Sequence, residues 1–343
     1  MQHEITRKHD LLRPNGTLSE AGFARSLLLD YDRSAIKANK FRIKEWDYYL
    51  IANREFAVAL TIADNSYMGL DSISFIDFRK PWQHTKSPMR LFPMGHTHMP
   101  ETSETGYTES FCKNHFLSFR KEKDRRFLKF HMDHFYDHKT LDGEITLEDH
   151  GGDSMVIATP FVEDPLAFYY NQKINCMAAK GYVNLGDQSY IFRPEESFGV
   201  LDWGRGVWTY KNTWYWGSSS GLLDGVPFGF NIGCGFGDDS EATENMLFYG
   251  HKAHKLSRVT FNIPTLNGVD NYLEPWFFTS DDDRFKMIFH PIIDRAAKTN
   301  LGILCSDQHQ VFGLYTGRVV LDDGTVLTIK DFLGFAEKVF NKW

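Results

Sequence analysis

From residue 41 onward the chain alternates between short aromatic or β-branched runs and turn-forming residues, and this rhythm constrains the fold most. "EWDYYLIAN", "EFAVALTIAD" and "LDSISFIDFR" read as successive strands, with turns at Asn53 and Arg54 and again from Asn65 to Gly69. Residues 111–162 continue the pattern through "FCKNHFLSFRKE", "RRFLKFHMDHF", "GEITLEDH" and "SMVIATPF". Short strands separated by turn signals point to a sandwich or a barrel. The aromatic share, 15%, agrees, because aromatic side chains favour pleated, half-buried surfaces. In "SISFIDF" the apolar residues alternate only in part, so the pattern does not fix which face turns inward. Gly186-Asp187 and Asp323-Gly324 mark hairpin turns between later strands.

Four stretches fall outside this rhythm. "TLSEAGFARSLL" predicts a short helix weakened by Gly22, and "IKDFLGFAEKVFNKW" predicts a short terminal helix with Gly334 against it. A polar, Pro-containing segment at 94–107 predicts a long loop, and loops of that length are often functional. "FVEDPLAFYYNQKINCMAAKG" (161–181) reads as a bridge between two β meanders. The expectation is an all-β protein with few short helices and two domains of ordinary size, 1–180 and 181–343.

The net charge is −7 and no long basic run occurs, which argues against nucleic-acid binding. "RKEKDRR" (120–126) reads as an exposed strand end or turn. The N-terminus has no apolar signal core, and no stretch approaches the ~18 apolar residues of a membrane span, so a cytoplasmic protein is expected. Cys112, Cys176, Cys234 and Cys305 lie far apart and read as reduced, structural thiols. "FGFNIGCGFGDD" lacks a Rossmann context and a P-loop lysine, so no cofactor is expected. Its Gly233, Gly235 and Gly237 alternate as in a strand, where glycine serves curvature or close packing. His96, His98, His131, His134 and His138 match no metal signature, and no metal is expected.

The densest chemistry lies in "DWGRGVWTYKNTWYWGSSSGL" (202–222). On a strand Trp208, Tyr210 and Asn212 share a face that Trp214 and Trp216 continue, provided no bulge intervenes. This ribbon is either a packed core or one wall of a ligand cavity, with Trp203 beside it. Asp202 and Arg205 either pin a turn as a pair or place a general acid or base at the entrance. Burial among aromatics would raise the Asp202 pKa, and a direct Arg205 partner would oppose that rise. Gly204 and Gly206 allow close backbone approach. In "DDSEATENMLFYGHKAHK", Glu244 and Asn245 read either as a solvated loop or as groups aimed into a barrel mouth. Asp202 and Glu244 are therefore the candidate catalytic carboxylates. Glycoside hydrolysis would require them roughly 5–9.5 Å apart.

The stretches "LLRPNGTLSEAGFARSLLLDYDR", "RIKEWDYYLI", "PFVEDPLAFYYNQKIN", "DWGRGVWTYKNTWYWGSSSG", "ATENMLFYGHKAHKL" and "GFAEKV" together resemble an uncharacterised bacterial domain-of-unknown-function family. That family is distantly similar to carotenoid 1,2-hydratase and AttH-like proteins. The resemblance implies two lipocalin-like (calycin) β-barrels in tandem, a hydrophobic ligand and, in the hydratase branch, addition of water to an isolated double bond. Three functions follow as expectations: an acid-catalysed, non-metal hydratase, lyase or isomerase on an apolar substrate; a lipid or isoprenoid binder; or a sugar-active enzyme with paired carboxylates.

Overall fold

The computed structural model describes residues 2–300 and 305–342. It is an all-β protein built on two large sheets, with two short 3-10 turns at Arg33–Ala35 and Lys40–Arg42 as the helical elements among the described residues. The first sheet is 14-stranded, and its centre runs Met68–Asp77, Phe56–Asp64, Ile43–Ala52, Phe198–Val207, Asp164–Leu185. It continues through Lys139–Glu148, Arg125–Tyr136 and His115–Glu122 to Gly106–Cys112. The second sheet is 9-stranded and centres on Val226–Cys234, Lys211–Leu223, Val326–Lys342, Cys305–Val320 and Phe285–Asn300. The architecture is thus two large, mostly antiparallel sheets, one 14-stranded and one 9-stranded.

Both predicted helices are absent. Gly22–Ala24 is a short strand paired with Met155–Phe161, and Val326–Lys342 is a long strand held on both sides by Lys211–Leu223 and Cys305–Val320. Helix propensity is a weak prior, and cross-strand hydrogen bonding overrides it, on both sides of the long strand over residues 334–342. The bridge at 161–181 is also strand: Asp164–Leu185 is 22 residues long and crosses the expected boundary at 180/181. Sheet membership changes instead between Val207 and Lys211.

The first sheet curls until its far edge meets its own interior. Thr108 Oγ1 donates to Asp47 at 2.6 Å, and Ser110 Oγ donates to Asp71 at 2.6 Å. On Ile43–Ala52 the odd-numbered residues Ile43, Tyr49 and Ile51 enter the first domain's core, whereas Tyr48 and Leu50 join a cluster with Trp216, Phe312 and Phe335 of the second sheet. Both faces of this strand are covered. That removes the hydrophobic alternation a half-exposed strand would show, and explains the partial pattern in "SISFIDF".

The long Asp164–Leu185 strand docks the domains through a bulge. Its register shifts between Ile174 and Met177, and Cys176 takes a left-handed φ of 61°. The bulge presents the Asn175 amide to Ser218 Oγ at 2.8 Å, with Ser219 O, Ser220 Oγ and Phe230 O each at 3.2 Å. Truncation would leave buried acceptors without a donor. Asn175→Ala is expected to lower stability by about 1–3 kcal/mol, read from the urea midpoint; an unchanged midpoint would show the bulge to be dispensable.

Candidate functional site

A cavity of about 590 Å³ opens between the two sheets, lined by Trp46, Tyr169, Lys173 and Asp202 from the first and Trp214, Trp216, Arg295, Gln310 and Glu337 from the second. Its size suits a small molecule. Even-numbered residues of Phe198–Val207 and Ile43–Ala52 face it, so strand alternation selects which side chains it receives.

The aromatic wall is continuous. Trp46 stacks on Tyr169 (6.2 Å, 9° between planes) and meets Trp208 edge-on at 5.2 Å. Trp208 meets Trp214 at 5.7 Å, and Phe236 packs against Tyr169, Trp208 and Trp214 at 4.8, 4.8 and 5.2 Å. Gly204 makes room for this wall: a Cβ there would lie 1.9 Å from Trp46 Cζ2. Gly204→Ala is therefore expected to displace the Trp46 ring and cost about 1–3 kcal/mol by overpacking. Unfolding by urea measures this, and a cost near zero would mean the ring relocates freely.

Asp202 sits under this wall, bound by the first sheet's own residues. Lys173 Nζ donates to its Oδ1 at 2.9 Å and Asn171 Nδ2 to the same oxygen at 2.6 Å, while Oδ2 receives no donor among the described residues. The Lys173 ammonium also lies 4.3 Å from the Trp216 ring centroid. Glu337 is 8% exposed, and its oxygens accept from Trp214 Nε1 and Gln310 Nε2, both at 3.0 Å. Burial pushes its carboxyl up to about 7, against the pull of the Trp214 N–H and the positive charges of Arg295 and Lys173. Glu244 occupies another part of the wall, where burial raises its pKa and Lys173 opposes the rise. Its carboxylate fills the space over Gly233, where a Cβ would lie 2.3 Å from Oε1, so that glycine serves close packing.

Of the residues singled out by sequence, Asp202, Glu244, Trp208, Trp214 and Trp216 line the cavity. Trp203 and Arg205 do not: they project to the opposite face, into the first domain, where both are at most 1% exposed. Arg205 pairs with Asp47 at 3.0 Å rather than with Asp202, whose cationic partner is Lys173. Arg205 also reaches the Pro100 carbonyl at 2.8 Å, and so anchors the 94–107 loop. Tyr210 is 46% exposed on the crossing between sheets. Asn245 is fully buried in structural bonds, accepting from Gly233 N–H at 2.7 Å and donating to Ser257 O at 3.1 Å. The ribbon expected on one strand is split: Trp208 lies just past the Phe198–Val207 strand of the first sheet, whereas Trp214 and Trp216 lie on Lys211–Leu223 of the second.

Lys173, Glu337, Gln310 and Arg295 have no sequence signal pointing to the cavity, although "GFAEKV" does place a carboxylate inside an apolar run. Elsewhere, Asp71, Cys112 and His115 bring potential metal ligands within 4.8 Å of one another. The Asp71 carboxylate is already held by Arg90, Ser110 and His115. All four cysteines are unpaired, and no helix among the described residues is long and apolar enough to cross a membrane.

Solved structures share this architecture over nearly the full length. Kievitone hydratase from Nectria haematococca aligns with a TM-score of 0.55 at 10% identity, covering 98% of each chain. CghA in complex with Sch210972 gives 0.55 at 11% identity over 97% of each chain. A protein described as AttH, from Nitrosomonas europaea, gives 0.56 at 11% identity, covering 90% of this chain and 96% of its own. At these identities the likeness is one of fold. Comparison with curated protein sequences finds no match. The model of the domain of unknown function DUF2804 matches residues 2–343, and the chain belongs to that family.

Proposed function

We propose that the protein is a non-metal hydratase or related lyase or isomerase that protonates a carbon–carbon double bond of a largely apolar substrate in the intersheet cavity. One observation carries this reading: a buried carboxyl, Glu337, raised to about 7 inside an aromatic cavity. Such a group holds a proton near neutrality and can release it to a weak base. We assign the donation to Glu337 rather than Asp202 because Lys173 and Asn171 already converge on Asp202 Oδ1.

In the addition direction, the alkene π pair takes the Glu337 proton, forming a C–H bond and leaving a carbocation. The faces of Trp46, Trp208, Trp214 and Trp216 stabilise that charge. Water then forms the C–O bond, and its surplus proton passes to Asp202 Oδ2 before returning to Glu337 through solvent. The hydratase named among the structural neighbours supports the reaction class by analogy of fold, which alone does not establish function.

The test is incubation with a panel of prenylated phenols and isoprenoid alcohols in ¹⁸O-water, followed by mass spectrometry. The expected product gains one labelled water with the wild-type protein and fails to form with Glu337→Gln. Unmodified panel compounds recovered with the protein, and no labelled product, would identify a binder instead of an enzyme.

A further inference from the structure

The cavity contains a cation that has no direct ion pair among the described residues. Lys173 is matched by Asp202 at 2.9 Å, but Arg295 forms no ion pair among the described residues. Its Nη1 reaches across the interface to Ser74 Oγ at 2.7 Å, and its Nε is buried with no acceptor. A half-buried guanidinium is costly to leave uncompensated, and its planar fork suits a carboxylate or a similar oxyanion. The neighbours that feel its charge are Glu337 and Tyr48, so it stands beside the proposed acid. Glu244 instead feels Lys173 and Lys255.

We infer that the cavity takes an amphiphilic anion: an apolar body against the tryptophan wall, with a carboxylate or comparable oxyanion head paired to Arg295. This rests on the reading of the cavity as the substrate site, and adds the chemical class of what it admits. The pairing orients the substrate, since a head fixed at Arg295 sets which carbon of the body lies over Glu337. It also cancels the positive charge that works against protonation of Glu337, so the bound anion favours the acid form of its own catalyst.

Decanoate and 1-decanol test this, because they differ only in the head. Binding is read at neutral pH by tryptophan fluorescence and by calorimetry. The wild-type protein is expected to bind decanoate about tenfold or more tightly than decanol, the worth of one charge-assisted contact. Arg295→Gln should erase that preference while keeping decanol affinity, and Arg295→Lys should retain part of it. Equal affinity of the wild-type protein for the two probes would overturn the anionic head and leave the apolar cavity reading standing. A preference that survives in Arg295→Gln would overturn the assignment to Arg295. Binding of neither probe would overturn both readings together.

Discussion

Replacing Glu337 with Gln should reduce turnover by about 10²–10⁴-fold, the usual worth of a positioned proton donor. The amide keeps the shape and can still meet Trp214 Nε1 and Gln310, so substrate affinity should change little. The pH dependence separates this from a structural effect. The acid form is the reactive one, so the wild-type rate should fall as pH rises through about 7. The Gln variant should lack that limb, and a limb that persists would assign the acid elsewhere. Stability moves in the matching direction. The folded pKa lies above the unfolded value of 4.5, so between 4.5 and about 7 the folded state binds the extra proton. The charged carboxylate therefore destabilises the fold progressively over that window. The wild-type protein should lose up to about 3 kcal/mol that Glu337→Gln keeps. Urea midpoints at pH 5 and pH 8 for both proteins measure the difference.

Arg205→Met should destabilise the protein by about 3–5 kcal/mol, more than any change at the cavity wall. The guanidinium is fully buried and bonds Asp47, the Trp46 and Gly204 carbonyls and Pro100 O. Its removal strands the Asp47 carboxylate, which is 6% exposed and keeps Thr108 as its remaining donor. It also frees the loop at Pro100. Because the loss is chiefly that of an unpaired buried charge, adding Asp47→Asn should recover part of it. A double variant as unstable as the sum of the singles would show that the packing of Arg205, not its charge, matters.

These two residues also show what could be read from the chain alone. Asp202 and the tryptophans drew notice because they lie close together in sequence, and Asp202, Trp208, Trp214 and Trp216 do line the cavity, whereas Trp203 falls on the opposite face and Tyr210 is exposed between the strands. A strand's period of two argued against the expected Asp202–Arg205 pair. Positions three apart lie on opposite faces of a strand, and here one looks into the cavity and the other into the first domain. The all-β class was legible in the turns and aromatics. The partners of the site were not. Lys173 and Glu337 reach it from strands distant in sequence, and residues 326–342 carry a helix-favouring composition that cross-strand pairing overrides. Gly204 and Gly233 were legible as points of close approach, but what approaches them, Trp46 and Glu244, depends on register.

The closeness of the indoles of Trp46, Trp208 and Trp214, at 5.2 and 5.7 Å, has an optical consequence. Transition dipoles at that range and at large mutual angles couple, so the cavity should produce its own split circular-dichroism band. Two of these rings belong to the first sheet and its exit and one to the second. The Trp46–Trp208 part of the band belongs to the first sheet alone, whereas the Trp208–Trp214 part would exist only while the two sheets are docked, and its loss would make the interface visible without any added label.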